Sequence, residues 1–161
     1  MTDSNFTGSN DKGSNYTAPD ITLLGAEHVR VYQETGGERG YLWNGVPTLL
    51  LTTVGRRTGE SRTVPLIFGR DGDNLLVVAS KGGAPAHPLW YENLAADPAV
   101  SVQVRGDQGA FIASTAQGAE HDRLWKVVVE QWPNYDTYQS RTDRPIPLVV
   151  LTPKTADDVL T

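Results

Sequence analysis

Residues 46–80 read "VPTLLLTTVGRRTGESRTVPLIFGRDGDNLLVVAS", three apolar runs parted by two polar turns. Leu49, Leu50 and Leu51 are continuous enough for a strand covered on both faces. "GRRTGESRT" turns the chain into a partner strand, "TVPLIFGR", and "DGDN" turns it again into "LLVVAS". Pro65 lacks a ladder donor, which places it at an edge or a bulge. Successive hairpins imply antiparallel pairing.

Beyond this stretch, Ser80-Lys81-Gly82-Gly83 ends the third strand in a loop. "HPLWYENLAAD" reads as a short helix, with Pro88 in its first turn and Asp97-Pro98 as its stop. "AVSVQVRG" alternates Val100, Val102 and Val104, a half-buried strand, and "GAFIASTA" pairs with it across Asp107-Gln108-Gly109. "AEHDRLWKVVVEQW" carries Leu124, Trp125, Val128 and Trp132 at helical spacing. "PNYDTYQSRTDRP" reads as irregular or briefly helical, and "IPLVVLT" closes the sheet.

Toward the N-terminus, "RGYLWNG" is a short apolar piece closed by an Asn-Gly turn, and "DITLLGAEHVRVYQETGG" places Leu24, His28, Val29 and Tyr32 on one helical face. Residues 1–19, rich in Ser, Asn, Gly and Thr, read as a flexible polar tail, leaving 20–161 as one domain. The pattern is α+β: about six mostly antiparallel strands with inserted helices. A small closed barrel is the economical arrangement, because closure removes exposed strand edges.

The 161-residue chain carries a net charge of −5, so its average field repels a nucleic-acid backbone. A local basic turn on an acidic protein suits a small, multiply charged anion instead. With no cysteine, disulfides, thiolate metal sites and cysteine nucleophiles are excluded, which fits a cytoplasmic location. No stretch approaches the ~18 apolar residues of a membrane span. The signatures G-x-G-x-x-G, G-x-x-x-x-G-K-[ST] and G-x-S-x-G are absent. His28, His87 and His121 lack ligand spacing, so no metal site is expected.

Two constellations carry chemistry. Arg56, Arg57 and Arg62 in the first turn, joined by Lys81 in the glycine-rich loop, offer guanidinium forks and exposed N–H groups to phosphate or carboxylate. A solvated hairpin tip accommodates arginine without a partner; the second basic loop tips the reading toward an anion site. Trp132, Tyr135 and Tyr138 recur every three residues in a segment too polar for complete burial, which suits a pocket for a planar ligand. Trp90 and Tyr91 either add to it or anchor their helix. An anion cradle and a flat aromatic pocket without acid–base machinery suit a cofactor that brings its own chemistry.

Three ordered segments, "LLLTTVGRRTGESRTVPLIF", "VVASKGGAPAHPLWYENLAADPAVSVQV" and "WPNYDTYQSRTDRPIPLVVL", resemble the deazaflavin-dependent nitroreductase family of actinobacteria. The resemblance implies a split β-barrel related to FMN-binding flavoreductases, and coenzyme F-420 (8-hydroxy-5-deazaflavin), which carries a phosphate and a polyglutamate tail. It implies that Arg57 and Arg62 hold these anions, aided by Arg56 and Thr58, with Ser80, Lys81, Gly82 and Gly83 continuing the cradle. Thr63, Val64 and Pro65 would run along the ring, with Trp90 and Asn93 packed and hydrogen-bonded beside it. Tyr135, Tyr138 and Ser80 would be catalytic donors, and Trp132, Tyr135 and Tyr138 would face the substrate.

The implied activity is hydride transfer from the reduced cofactor to quinones, nitroaromatics or activated alkenes, in a monomer or dimer. Two features depart from the family pattern: Trp132 stands where relatives often carry tyrosine, and a polar tail replaces a membrane-associating N-terminus. Only loose, peripheral membrane contact is therefore left to the expectation. The alternatives are an FMN-dependent flavoreductase of the same barrel, whose shorter phosphate tail leaves the arginines without a purpose, and a cofactor-binding protein without turnover.

Overall fold

Leu49, Leu50 and Leu51 are all but inaccessible to solvent, as a strand covered on both faces requires. The computed structural model describes residues 25–154, so Leu24 and the expected tail lie outside the described residues. In chain order these form α1 (Gly25–Thr35), β1 (Leu42–Trp43), β2 (Val46–Val54), β3 (Ser61–Ile67), β4 (Gly69–Asp71) and β5 (Asn74–Val78). Then follow α2 (Leu89–Ala96), β6 (Ala99–Val104), β7 (Asp107–Thr115), α3 (Gly118–Gln131), α4 (Asn134–Ser140) and β8 (Leu148–Pro153).

All pairings are antiparallel, and the strand order is β1-β2-β6-β7-β8-β5-β4, with β3 also pairing β2. Phe68 alone separates β3 from β4, yet β3 bonds to β2 and β4 to β5 at opposite ends of the sheet. One bent segment thus brings the sheet round on itself, and the half-barrel is split where β3 leaves the ladder. The eight strands exceed the expected six because this segment breaks at Phe68 and because β1 is only two residues long.

The core alternates with the pleat. On β5, Leu75 and Val77 face the barrel interior with Leu49, Leu51, Val149 and Leu151. Leu76 and Val78 face the other way and pack with Leu124 and Val128 of α3 and with Tyr135 and Tyr138 of α4. Both faces of β5 and β8 are covered, which explains their uninterrupted apolar runs. Each fully buried leucine contributes about 1.5–3 kcal/mol, so closure is driven chiefly by these two clusters.

Local readings shift in three places. The β6–β7 hairpin turns at Arg105-Gly106, where Arg105 adopts φ 55°, and Asp107 to Gly109 belong to the strand. Pro88 caps α2 from outside its first turn. Val31, with His28 and Tyr32, forms the buried face of α1, leaving Val29 half-buried. The Tyr32 hydroxyl donates to Thr48 O (2.9 Å) and accepts from the Arg105 N–H (2.8 Å), fastening α1 to the barrel.

Candidate active site

The β2–β3 turn is closed by its own backbone: the Gly55 N–H donates to Glu60 O (2.7 Å) and the Gly59 N–H to Gly55 O (2.8 Å). Helix α2 locks it from the side. Asn93 accepts from the Arg56 N–H (3.2 Å) and donates to Thr53 Oγ1 (3.2 Å), so its buried amide serves the turn itself. Arg56 also pairs with Glu92, and this guanidinium holds the Glu92 carboxyl below the usual carboxylate range. Arg62 lies 3.7 Å from Glu60, both largely exposed, which gives Glu60 a partner the sequence did not suggest. Arg57 forms no ion pair among the described residues.

Beside this turn lies an open cleft of about 480 Å³, lined by Arg56, Arg57, Thr58 and Arg62 with Val64, Leu89, Trp90 and Asn93. Leu89, 71% exposed at the start of α2, was not singled out from the sequence; an isolated leucine in a helix carries no signal of its own.

A second cavity of about 320 Å³ opens elsewhere along β3. Pro65, Leu66 and Ile67 of β3 line it, together with Trp43, Ser80, Lys81, Gly82, Trp132, Tyr135 and Tyr138. Tyr135 and Tyr138 meet edge to face at 6.2 Å, and Trp43 stands against Trp132 at 6.1 Å. Burial pushes the Tyr135 phenol well above its ordinary value, the nearby Tyr138 adding to the shift. The Tyr138 oxygen accepts from the Asn134 amide (3.4 Å), which leaves its own hydrogen able to donate elsewhere.

The structure therefore divides the expected site residues. The arginines gather with Trp90 and Asn93, but Ser80, Lys81 and Gly82 line the tyrosine cavity and do not extend the arginine cleft. Gly83 is buried against α4, where a Cβ would lie 2.6 Å from Tyr138 O. Thr63 spends its hydroxyl on Thr52 Oγ1 (2.7 Å). Trp43, unassigned in the sequence, is a wall of the aromatic cavity. His28 also lines that cavity, and its Nε2 donates to Gly40 O (2.7 Å).

A curled antiparallel half-barrel with a basic cleft and an aromatic pocket along its split strand defines a protein of the flavin-binding split-barrel class. Residues 24–153 match the sequence profile of the F420H(2)-dependent quinone reductases, and the chain belongs to that family. An F420H(2)-dependent quinone reductase of Mycobacterium tuberculosis is 46% identical over 129 residues, spanning 78% of this chain and 87% of that protein. Among solved structures, an F420-H2 dependent reductase is 42% identical with a TM-score of 0.61, covering 65% of this chain and 93% of its own. A further solved structure, described only as a domain-swapped dimer, is 37% identical with a TM-score of 0.64, covering 76% of this chain and 96% of its own.

Proposed function

We propose that this protein is an oxidoreductase that transfers hydride from reduced coenzyme F-420 to a quinone. The observation that carries the reading is the pairing of two clefts along β3, one cationic and apolar, the other aromatic. The cationic cleft suits the cofactor on its own chemistry: Arg57 forms no ion pair among the described residues, and Val64, Leu89 and Trp90 offer an apolar wall to a flat ring. Arg57 and Arg62 would hold phosphate and tail, with Arg56 and Thr58 beside them, while Thr63, Val64 and Pro65 would run along the ring between the clefts. Trp90 would pack beside it, and Asn93 would fix the turn that presents the cations. When bound, the reduced cofactor supplies the hydride.

The chain's own residues do the rest. Trp43 and Trp132, packed against each other, would form one wall against a flat acceptor and keep water out, which strengthens every polar contact inside. Hydride addition leaves negative charge on a quinone oxygen, and the Tyr138 hydroxyl, whose oxygen already accepts from Asn134, would donate its hydrogen to it. Ser80 and Tyr135 line the same cavity as further donors, and Tyr135 stays protonated through the physiological range because burial disfavours its anion.

Nitroaromatics and activated alkenes, also flat and electron-poor, come within the proposal. So do a monomeric or dimeric state and a single domain over residues 20–161. No described helix is long and apolar enough to cross a membrane, and we extend the proposal only to peripheral contact where the quinone is lipid-borne. The test is cofactor titration followed by quinone turnover. Tight F-420 binding with protein-dependent oxidation of the reduced cofactor is expected. Tight FMN binding with none of F-420 overturns the proposal, and binding without turnover favours a sequestering protein.

A further inference from the structure

Arg144 lies between α4 and β8, and nothing in the scheme above uses it. Its guanidinium reaches four acceptors on the segment joining β5 to α2. Nε donates to Ala84 O (2.8 Å), Nη2 to Ser80 O (2.8 Å), and Nη1 to Ala79 O (3.2 Å) and His87 Nδ1 (2.9 Å). An arginine cannot accept, so the imidazole carries its hydrogen on Nε2. Arg144 has no ion pair among the described residues; four of its five N–H groups go to three neutral oxygens and one ring nitrogen. Partial burial draws its pKa down.

The segment so held has an uncommon backbone. Ser80 is right-handed (φ −82°), and Lys81, Gly82 and Gly83 follow at φ 48°, 64° and 86°. Lys81 is a side-chain-bearing residue in a region that L residues disfavour, so something must hold it there. The guanidinium holds the carbonyls of Ala79, Ser80 and Ala84, and the Ala84 N–H donates to Lys81 O (3.1 Å). In a trans peptide the C=O and the following N–H point in opposite directions. With those oxygens held behind, the N–H groups of Ser80, Lys81 and Gly82 face the other way. A right-handed residue followed by a left-handed one forms a concavity that favours anions, and these three residues line the aromatic cavity.

We propose that Arg144 is a positioning residue: it holds the Ser80–Gly82 amides converged on the aromatic cavity, where they receive the oxygen that gathers negative charge during reduction. The proposal rests on the quinone-reductase reading. Hydride from the reduced cofactor brings the quinone two electrons and one hydrogen, leaving charge on one oxygen until it is protonated. A planar fork is needed to span carbonyls on both sides of the turn, so lysine cannot replace it.

The test compares Arg144→Lys and Arg144→Met with the unaltered protein. For both, kcat with a soluble quinone should fall about tenfold or more, with KM and F-420 affinity within about twofold, because the lost contact acts in the transition state. In ligand-free protein, amide hydrogen exchange at Gly83 and Ala84 should accelerate about tenfold, since their partners sit on the released segment. Wild-type kcat and exchange in Arg144→Lys overturn the proposal, as does a parallel loss of kcat and cofactor affinity, which marks a merely structural role. If Arg144→Met fails to fold, the lysine variant decides. If the unaltered protein reduces no quinone, the functional reading fails, and the exchange rates still show whether Arg144 holds the segment.

Discussion

Replacing Gly83 with alanine tests whether α4 and the glycine-rich segment form one unit. A Cβ there would lie 2.6 Å from Tyr138 O and 2.9 Å from Arg141 Cβ, on a backbone at φ 86°. The left-handed conformation costs an alanine about 1–3 kcal/mol, and forcing apart well-packed groups adds about 1–3 kcal/mol more. Gly82 is the internal control: at φ 64° its Cβ would meet nothing within 4 Å, so only a backbone cost of about 1–2 kcal/mol applies. Thermal unfolding should therefore show Gly83→Ala lowered on the order of 10 °C or more and Gly82→Ala about 5 °C. The clash falls on the helix bearing Tyr135 and Tyr138, so Gly83→Ala should also lower quinone kcat/KM while F-420 affinity stays near normal. Equal melting temperatures for the two variants, with unaltered quinone kinetics, would refute the reasoning.

Arg57→Ala should weaken F-420 binding by about 1.5–3 kcal/mol, as the loss of charged hydrogen bonds, whereas Arg56→Ala should cost less because Glu92 already occupies that cation. Titrations across ionic strength should show Arg57 carrying the larger share of the salt dependence. Tyr138→Phe should reduce acceptor turnover and leave cofactor affinity within about twofold, since the hydroxyl removed lies in the aromatic cavity; an equal effect on both would erase the proposed division of labour. The Tyr135 phenol is shifted upward in the folded state, so it contributes stability in full below the ordinary tyrosine pKa of about 10. That stability is lost as pH rises above it, and phenolate absorbance from Tyr135 should appear only with alkaline unfolding.

The hairpins from β2 to β5 were legible because each rests on local evidence: an apolar run, then turn residues that demand a reversal. The β6–β7 turn was misplaced because Arg105-Gly106 and Asp107-Gln108-Gly109 are equally turn-like, and the ladder to Val104 decides between them. The break at Phe68 has no local mark, since it exists only because the sheet closes on itself. Lys81 looked like a fourth cation for the arginine cradle; which side of β3 it reaches depends on that closure. Arg56 looked free because its partner, Glu92, lies 36 residues away on another element. Trp43 leads into a recognisable Asn-Gly turn, but its place against Trp132 depends on contacts between distant segments.

Both clefts run along β3, and they share no lining residue. On the proposed function, Trp43, Trp132 and Tyr138 of the aromatic cavity would tune acceptance, and exchanging them would leave the arginine cleft untouched. Such a chain would drift from one electron-poor acceptor to another by single substitutions, each intermediate still able to hold the reduced cofactor. For an engineer, libraries confined to the aromatic cavity should change substrate range while conserving a single cofactor-binding assay as the check on folding.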